Sequence, residues 1–143
     1  MANLKKSDRV VNEGSAAQYT ATLKDPSGTV VPRSNQIALG LVLYNQRDGS
    51  IINTRGTLSG TDYTFQDVRP TTDSAVNNVT FHATSGLMTW QIQPADNAIV
   101  DTTLAPGESE THVAVFKFSY TSGSDSYTDY HTEVFEVEQV RVI

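Results

Sequence analysis

The sequence alternates apolar and polar residues with period two, and turn residues break the alternation again and again. Gln18 to Lys24 sets Tyr19, Ala21 and Leu23 against Thr20 and Thr22, then stops at Asp25-Pro26-Ser27-Gly28. Successive side chains of a strand point to opposite faces, so this pattern specifies half-buried strands, and no segment shows a 3.6-residue apolar stripe of helical length. Ile37 to Tyr44 is almost wholly apolar, with Ile37, Leu39, Leu41 and Leu43 on one face, and reads as a central strand. The turn at Asp48-Gly49 returns it through Ile51-Ile52, making Leu41 to Asn53 a hairpin.

Further on, Val79 to His82 and Leu87 to Ile92 flank a Ser85-Gly86 turn, and Trp90 is the expected core anchor. Thr111 to Tyr120 places Ala114, Phe116, Phe118 and Tyr120 opposite Val113, Val115, Lys117 and Ser119. Ser122-Gly123-Ser124-Asp125 turns it into a last segment, Tyr127 to Val140. There Tyr130, Thr132 and Val134 share a face while Phe135 and Val137 fall on the other, which predicts a β-bulge at Val134-Phe135 and an exposed edge. Thr54 to Asn78 is a stretch of about 25 residues, polar and poorly periodic, that carries Leu58, Tyr63, Phe65 and Val68 with no strand pattern, a length of loop that is commonly functional or disordered.

Seven or so strands at intervals of roughly ten residues match an immunoglobulin-like sandwich. The expectation is an all-β, immunoglobulin-like β-sandwich of about seven to nine strands over residues 15–143, preceded by an extended N-terminal arm over residues 1–14. At 143 residues with 38% apolar content the chain can build one core.

Several function classes are disfavoured on composition. There is no Cys, hence no disulfide, thiolate metal site or cysteine nucleophile. No apolar run suits a signal peptide or membrane span, so the expectation is synthesis and retention in a cytoplasm without membrane contact. The net charge of −6 lies wholly in the last third: residues 1–100 hold eight acids and eight bases, whereas 101–143 hold eight acids against Lys117 and Arg141. Direct nucleic-acid binding needs a basic face and is disfavoured.

His82, His112 and His131 sit in separate strand-like segments without a second ligand at metal spacing, and read as ordinary surface or half-buried histidines. Asp96 with Asp101, and Glu108 with Glu110, read more simply as turn caps than as acid–base or calcium pairs. No catalytic residue, metal or cofactor is therefore expected, and the chain reads as non-enzymatic.

Two features suggest protein interaction. The basic arm with Lys5, Lys6 and Arg9 could cross to a neighbouring subunit and meet an acidic strand face bearing Glu133, Glu136 and Glu138. The long loop offers Arg55, Tyr63, Phe65 and Arg69, residue types that interfaces enrich.

At Leu41-Val42-Leu43-Tyr44-Asn45 with Asp48-Gly49-Ser50-Ile51-Ile52-Asn53-Thr54-Arg55, and at Ser85-Gly86-Leu87-Met88-Thr89-Trp90 to Pro94-Ala95-Asp96-Asn97-Ala98-Ile99-Val100-Asp101, the sequence resembles small immunoglobulin-like structural proteins of tailed bacteriophages. The resemblance spans roughly Gln18 to Val140. Arg55 is the one position in it that packing does not explain. It implies a virion component assembled in the bacterial cytoplasm, first a capsid decoration or cement protein that binds the major capsid protein as a homo-oligomer, a trimer favoured. The alternatives are a neck, head-tail or tail protein and, from another class, a host-surface carbohydrate-binding module in which Tyr63, Phe65, Tyr127 or Tyr130 forms a flat aromatic platform.

Overall fold

The computed structural model describes residues 2–60 and 62–140, and of residues 2–9 the main chain only. Ten strands follow in order: β1 (Ala2–Asn12), β2 (Ala17–Thr22), β3 (Gln36–Asn45), β4 (Thr57–Ser59), β5 (Asp62–Thr64), β6 (Gln66–Asp67), β7 (Val79–Phe81), β8 (Leu87–Ile92), β9 (Ser109–Ser122) and β10 (Asp125–Glu138). Among the described residues the helical content is two single 3₁₀ turns, Arg33–Asn35 and Pro94–Asn97, and no helix there is long and apolar enough to cross a membrane. A five-stranded sheet has the order β1-β10-β9-β3-β6, a three-stranded sheet the order β2-β8-β7, and β4-β5 form a separate small hairpin.

The two larger sheets enclose one core, because each strand directs every second residue inward. Leu39, Leu41 and Leu43 of β3 meet Ala114, Phe116 and Phe118 of β9 and Phe135 and Val137 of β10, opposite Val79, Phe81, Met88, Trp90 and Ile92 of the smaller sheet. Trp90 is fully buried, edge-on to Phe116 at 5.6 Å, while Tyr19 stacks on the same ring at 5.8 Å. Each buried Leu or Phe contributes about 1.5–3 kcal/mol. The expected core anchor and the C-terminal hairpin are both present.

The outer face of the five-stranded sheet is apolar as well. Val113, Val115 and Val134 are buried there under Tyr44, Phe65 and Tyr130, with the β4-β5 hairpin folded across them. Gly40 permits this closeness, since a Cβ on it would stand 2.4 Å from the Cβ of Phe65.

That second apolar face overturns the expected bulge. β9 and β10 pair without a break from Asp125↔Ser122 to Glu138↔Ser109. Phe135 and Val137 join the inner core and Val134 joins the outer cluster, so the apparent slip in alternation is a strand buried on both sides. A register shift occurs in β1 instead, between Lys6 and Val10.

β1 corrects two further expectations. Residues 2–12 form an edge strand parallel to this chain's own β10, from Ala2↔Tyr130 to Asn12↔Glu138, instead of a separate arm crossing to a neighbour. β10 therefore has a partner on each side and exposes no edge.

The 54–78 segment is likewise structured, containing β4, β5 and β6, with β6 joining the large sheet through Gly40↔Asp67 and Leu41↔Gln66. In β3 the register shifts between Gln36 and Ala38, which turns Ile37 out to 48% exposure instead of inward with Leu39. The return after Asp48-Gly49 is a single bridge, Tyr44↔Ile51, and not a long hairpin.

Candidate functional site

Arg55 is the organising residue of the long segment, and it is 2% exposed, so it is removed from the set of surface interaction residues. The chain reaches it through Asn53 and Thr54, both at positive φ, a conformation Asn tolerates better than Thr. Its guanidinium donates from Nε to Asp96 Oδ1 at 2.5 Å and from Nη2 to Asp96 Oδ2 at 3.0 Å, a fork matched to a carboxylate. Nη1 donates to Gln66 Oε1 and the Asn77 carbonyl, Nη2 also to Asn78 Oδ1, and the group lies 5.6 Å over the Trp90 ring. Gln66 belongs to β6 and Asn77-Asn78 immediately precede β7, so Arg55 closes the side of the sandwich where those strands face each other.

Asp96 is more than a turn cap. Besides both Arg55 bonds it accepts from Asn53 Nδ2 at 2.8 Å and from the Gln93 main-chain N–H at 2.7 Å, with no exposed surface. The capping role holds for its Gln93 contact and for Glu108, which accepts from the Ala105 N–H.

His112, expected at or near the surface, is fully buried, with Nε2 2.6 Å from Glu110 Oε2. Burial pushes its imidazole below the ordinary histidine value, against Glu110 and Asp96, which favour the charged form. Glu110 also accepts from the Val100 and Asp101 N–H groups and so ties the 98–103 segment to β9. Glu110 lines a cavity of about 420 Å³ with Asn45, Arg47 and Asp101, but the imidazole does not. The pair is placed to hold a loop. His82 Nδ1 accepts from the Thr84 and Ser85 N–H groups at its own turn, and His131 packs on Phe118 beside Asp129. Among the described residues no group of three His, Cys, Asp or Glu is arranged to hold a metal.

Tyr63 and Phe65 come together with residues that sequence reasoning did not connect to them. Tyr44, Tyr63, Phe65 and Tyr130 form a string of rings with successive centroids 6.0, 5.8 and 6.4 Å apart, and the Lys117 ammonium stands 5.7 Å over Phe65. Tyr63 is 39% exposed at the crest, and its hydroxyl lies 3.4 Å from that of Tyr44. Burial and the Tyr63 hydroxyl push the Tyr44 phenol well up, so it stays protonated. The rings tilt by 38–44° from one to the next, so they make a ridge and not the flat platform a sugar ring would need. Tyr127 belongs elsewhere, stacked on Tyr120.

The acidic strand face divides in two. Glu133 lines a cavity of about 380 Å³ between the sheets with Tyr19 and Phe135, whereas Glu136 accepts from Ser109 and Thr111 on the outer face, with Glu138 in the same phase. Lys5 stands in register with Glu133 and Lys6 with Val134 in the main-chain ladder. The side chains of Lys5, Lys6 and Arg9 lie outside the described residues. Arg69 is half-buried, beside Arg33 and not on the aromatic ridge. Phase along β9 was the available signal for Glu110 and His112, because both continue the inward series of Ala114, Phe116 and Phe118.

Comparison with known proteins finds no matching protein-family model and no matching curated protein, so the functional reading rests on this architecture and on the residues themselves.

Proposed function

We propose that this chain is a non-enzymatic structural protein of a tailed-bacteriophage virion, a capsid decoration or cement protein that binds the major capsid protein and associates with its own copies as a trimer. The strand order supports the immunoglobulin-like part of this reading. It sets β2-β8-β7 against β10-β9-β3-β6, the B-E-D against G-F-C-C′ arrangement of that sandwich, with β1 alongside the last strand.

The observation that carries the binding role is the aromatic ridge. The sheet's outer face is apolar, the hairpin that covers it is anchored to the core through Arg55, and Tyr63 projects beside Phe65 and Lys117. A rigid amphipathic aromatic on an ordered support contributes contact area at little entropic cost, which is why such residues dominate interface energetics. The buried Arg55–Asp96 ion pair and the buried Glu110–His112 hydrogen bond are engaged in holding loops to strands, which agrees with a binding role.

The test is quantitative mass spectrometry of purified particles against the major capsid protein, together with light scattering of the isolated chain. A copy number comparable to that of the capsid protein supports decoration. Only a few copies per particle would assign the chain to the neck or tail, and absence from the particle would overturn the reading.

A further inference from the structure

Away from the ridge, a cavity of about 270 Å³ opens where the segment before β3, the segment after β6 and the β7-β8 turn meet. It is lined by Arg33, Ser34, Arg69, Thr71 and Ala83, with no acidic residue among them. The main chain around it is held firmly. The Arg33 N–H donates to the Ala83 carbonyl, the Val68 N–H to the Leu39 carbonyl and the Arg69 N–H to Asp67 Oδ1.

Four arginine side chains are described, and they differ in their acceptors. Arg55 is fully engaged and Arg47 pairs with Asp101 at 3.3 Å. Arg33 uses Nη1 alone, for Asp73 and for the Phe81 carbonyl, and Asp73 is 93% exposed at the rim. Arg69 is the exception among the described residues: its guanidinium meets no acceptor, and its Nε is shielded from solvent. Native structures rarely leave a shielded N–H without an acceptor. Two arginines that line one cavity also favour an anion between them over a neutral filling.

We propose that Arg33 and Arg69, with the Ser34 and Thr71 hydroxyls, form a binding site for an oxyanion of the phosphate or carboxylate kind. The planar N–H fork of arginine suits either ligand, and the hydroxyls add donors around it. The oxyanion has two possible sources. One is free inorganic phosphate. The other is a carboxylate of a second copy of this chain, whose residues 101–143 hold the whole net charge of −6.

The experiment titrates the full chain with inorganic phosphate at constant ionic strength, chloride being the control, and follows the arginine Nε–H resonances by proton–nitrogen NMR. Sedimentation velocity of the same samples reads self-association. Free oxyanion binding shifts the Arg69 and Arg33 resonances saturably, and Arg69→Gln weakens the effect at least about tenfold. Arg69→Gln breaks no side-chain hydrogen bond or ion pair found among the described residues, so its unfolding temperature stays close to that of the wild type. Arg33→Gln serves as the second variant, and Arg47→Gln leaves binding unchanged. If phosphate gives no shift but the chain self-associates, and both Arg69→Gln and Arg33→Gln lower that association about tenfold, the oxyanion is the second copy's carboxylate. A chain that neither responds to phosphate nor loses association in these variants overturns the proposal.

Discussion

Replacing Asp96 by Ala should be among the most damaging single substitutions in this protein, although the residue lies in a short connection. The change removes four accepted hydrogen bonds at once, from Arg55 Nε, Arg55 Nη2, Asn53 Nδ2 and the Gln93 N–H. It leaves a guanidinium with 2% exposure facing only neutral acceptors. Removing one partner of a buried ion pair costs about 3–5 kcal/mol, against a total stability of about 5–15 kcal/mol for an ordinary domain. Guanidinium chloride unfolding followed by the fluorescence of the single tryptophan suits the measurement, because Trp90 is buried 5.6 Å from the Arg55 guanidinium and reports on this region. The paired variant Arg55→Met/Asp96→Leu should lose less than the sum of its single changes, by up to about 3 kcal/mol, since no uncompensated charge remains. Hydrogen exchange should quicken first in the 66–79 stretch, which Arg55 ties down through Gln66, Asn77 and Asn78. A cost below about 1 kcal/mol for Asp96→Ala, or single effects that simply add, would refute the assigned role of the pair.

Gly40→Ala should destabilise by about 1–3 kcal/mol by driving a methyl into Phe65, and Phe65→Ala should recover part of that loss in thermal unfolding; equal costs with and without Phe65 would show that the hairpin does not press on β3. Tyr63→Ala should leave the unfolding temperature nearly unchanged and weaken particle binding by about 2 kcal/mol or more in a pull-down titration, the loss expected of an interface hot spot. His112 is held neutral by burial, so its contribution is complete above the unfolded value of about 6.5 and is lost as pH falls below it, by at most about 1.4 kcal/mol per pH unit. The stability difference between the wild type and His112→Gln should therefore shrink from pH 7 downward; a pH-independent difference would contradict the assignment. Deleting residues 2–12 should lower the unfolding temperature as well as any assembly, because it uncovers β10 and removes the buried Val11; an unchanged melt would mean that β1 adds nothing to the sheet.

Strands that alternate cleanly were legible in the sequence. β3, β8, β9 and most of β10 lie where periodicity put them, and Trp90 is the core anchor it was expected to be. β10 misled at Val134-Phe135 because alternation reveals faces only when one of them is wet, and this strand is buried on both. β1 was hidden for the opposite reason: Lys5-Lys6-Ser7-Asp8-Arg9 shows no apolar phase, and its placement comes from main-chain pairing. β4, β5 and β6 have two or three residues each, too few for any period to register. The Arg55–Asp96 pair joins positions 41 residues apart, and nothing local in either segment announces the other. Tyr63 and Phe65 were visible as interface types, but their partners Tyr44, Lys117 and Tyr130 come from three other strands.

The parallel pairing of β1 with β10 also bears on how this chain reaches its native state. Ala2 stands opposite Tyr130, so the first strand finds its neighbour only across almost the whole length of the polypeptide. Contacts this far apart in sequence form late and slowly, because a long loop must close before any of them is rewarded. During synthesis the first strand must wait, unpaired, until the last has emerged. When β10 arrives it meets β9 on one edge through a two-residue turn, an encounter that is fast and local, and β1 on the other only by chance collision. The docking of β1 onto β10 is thus the pairing expected to form last. Until it occurs, the open edge of β10 is the point at which two growing chains are most exposed to pairing with each other.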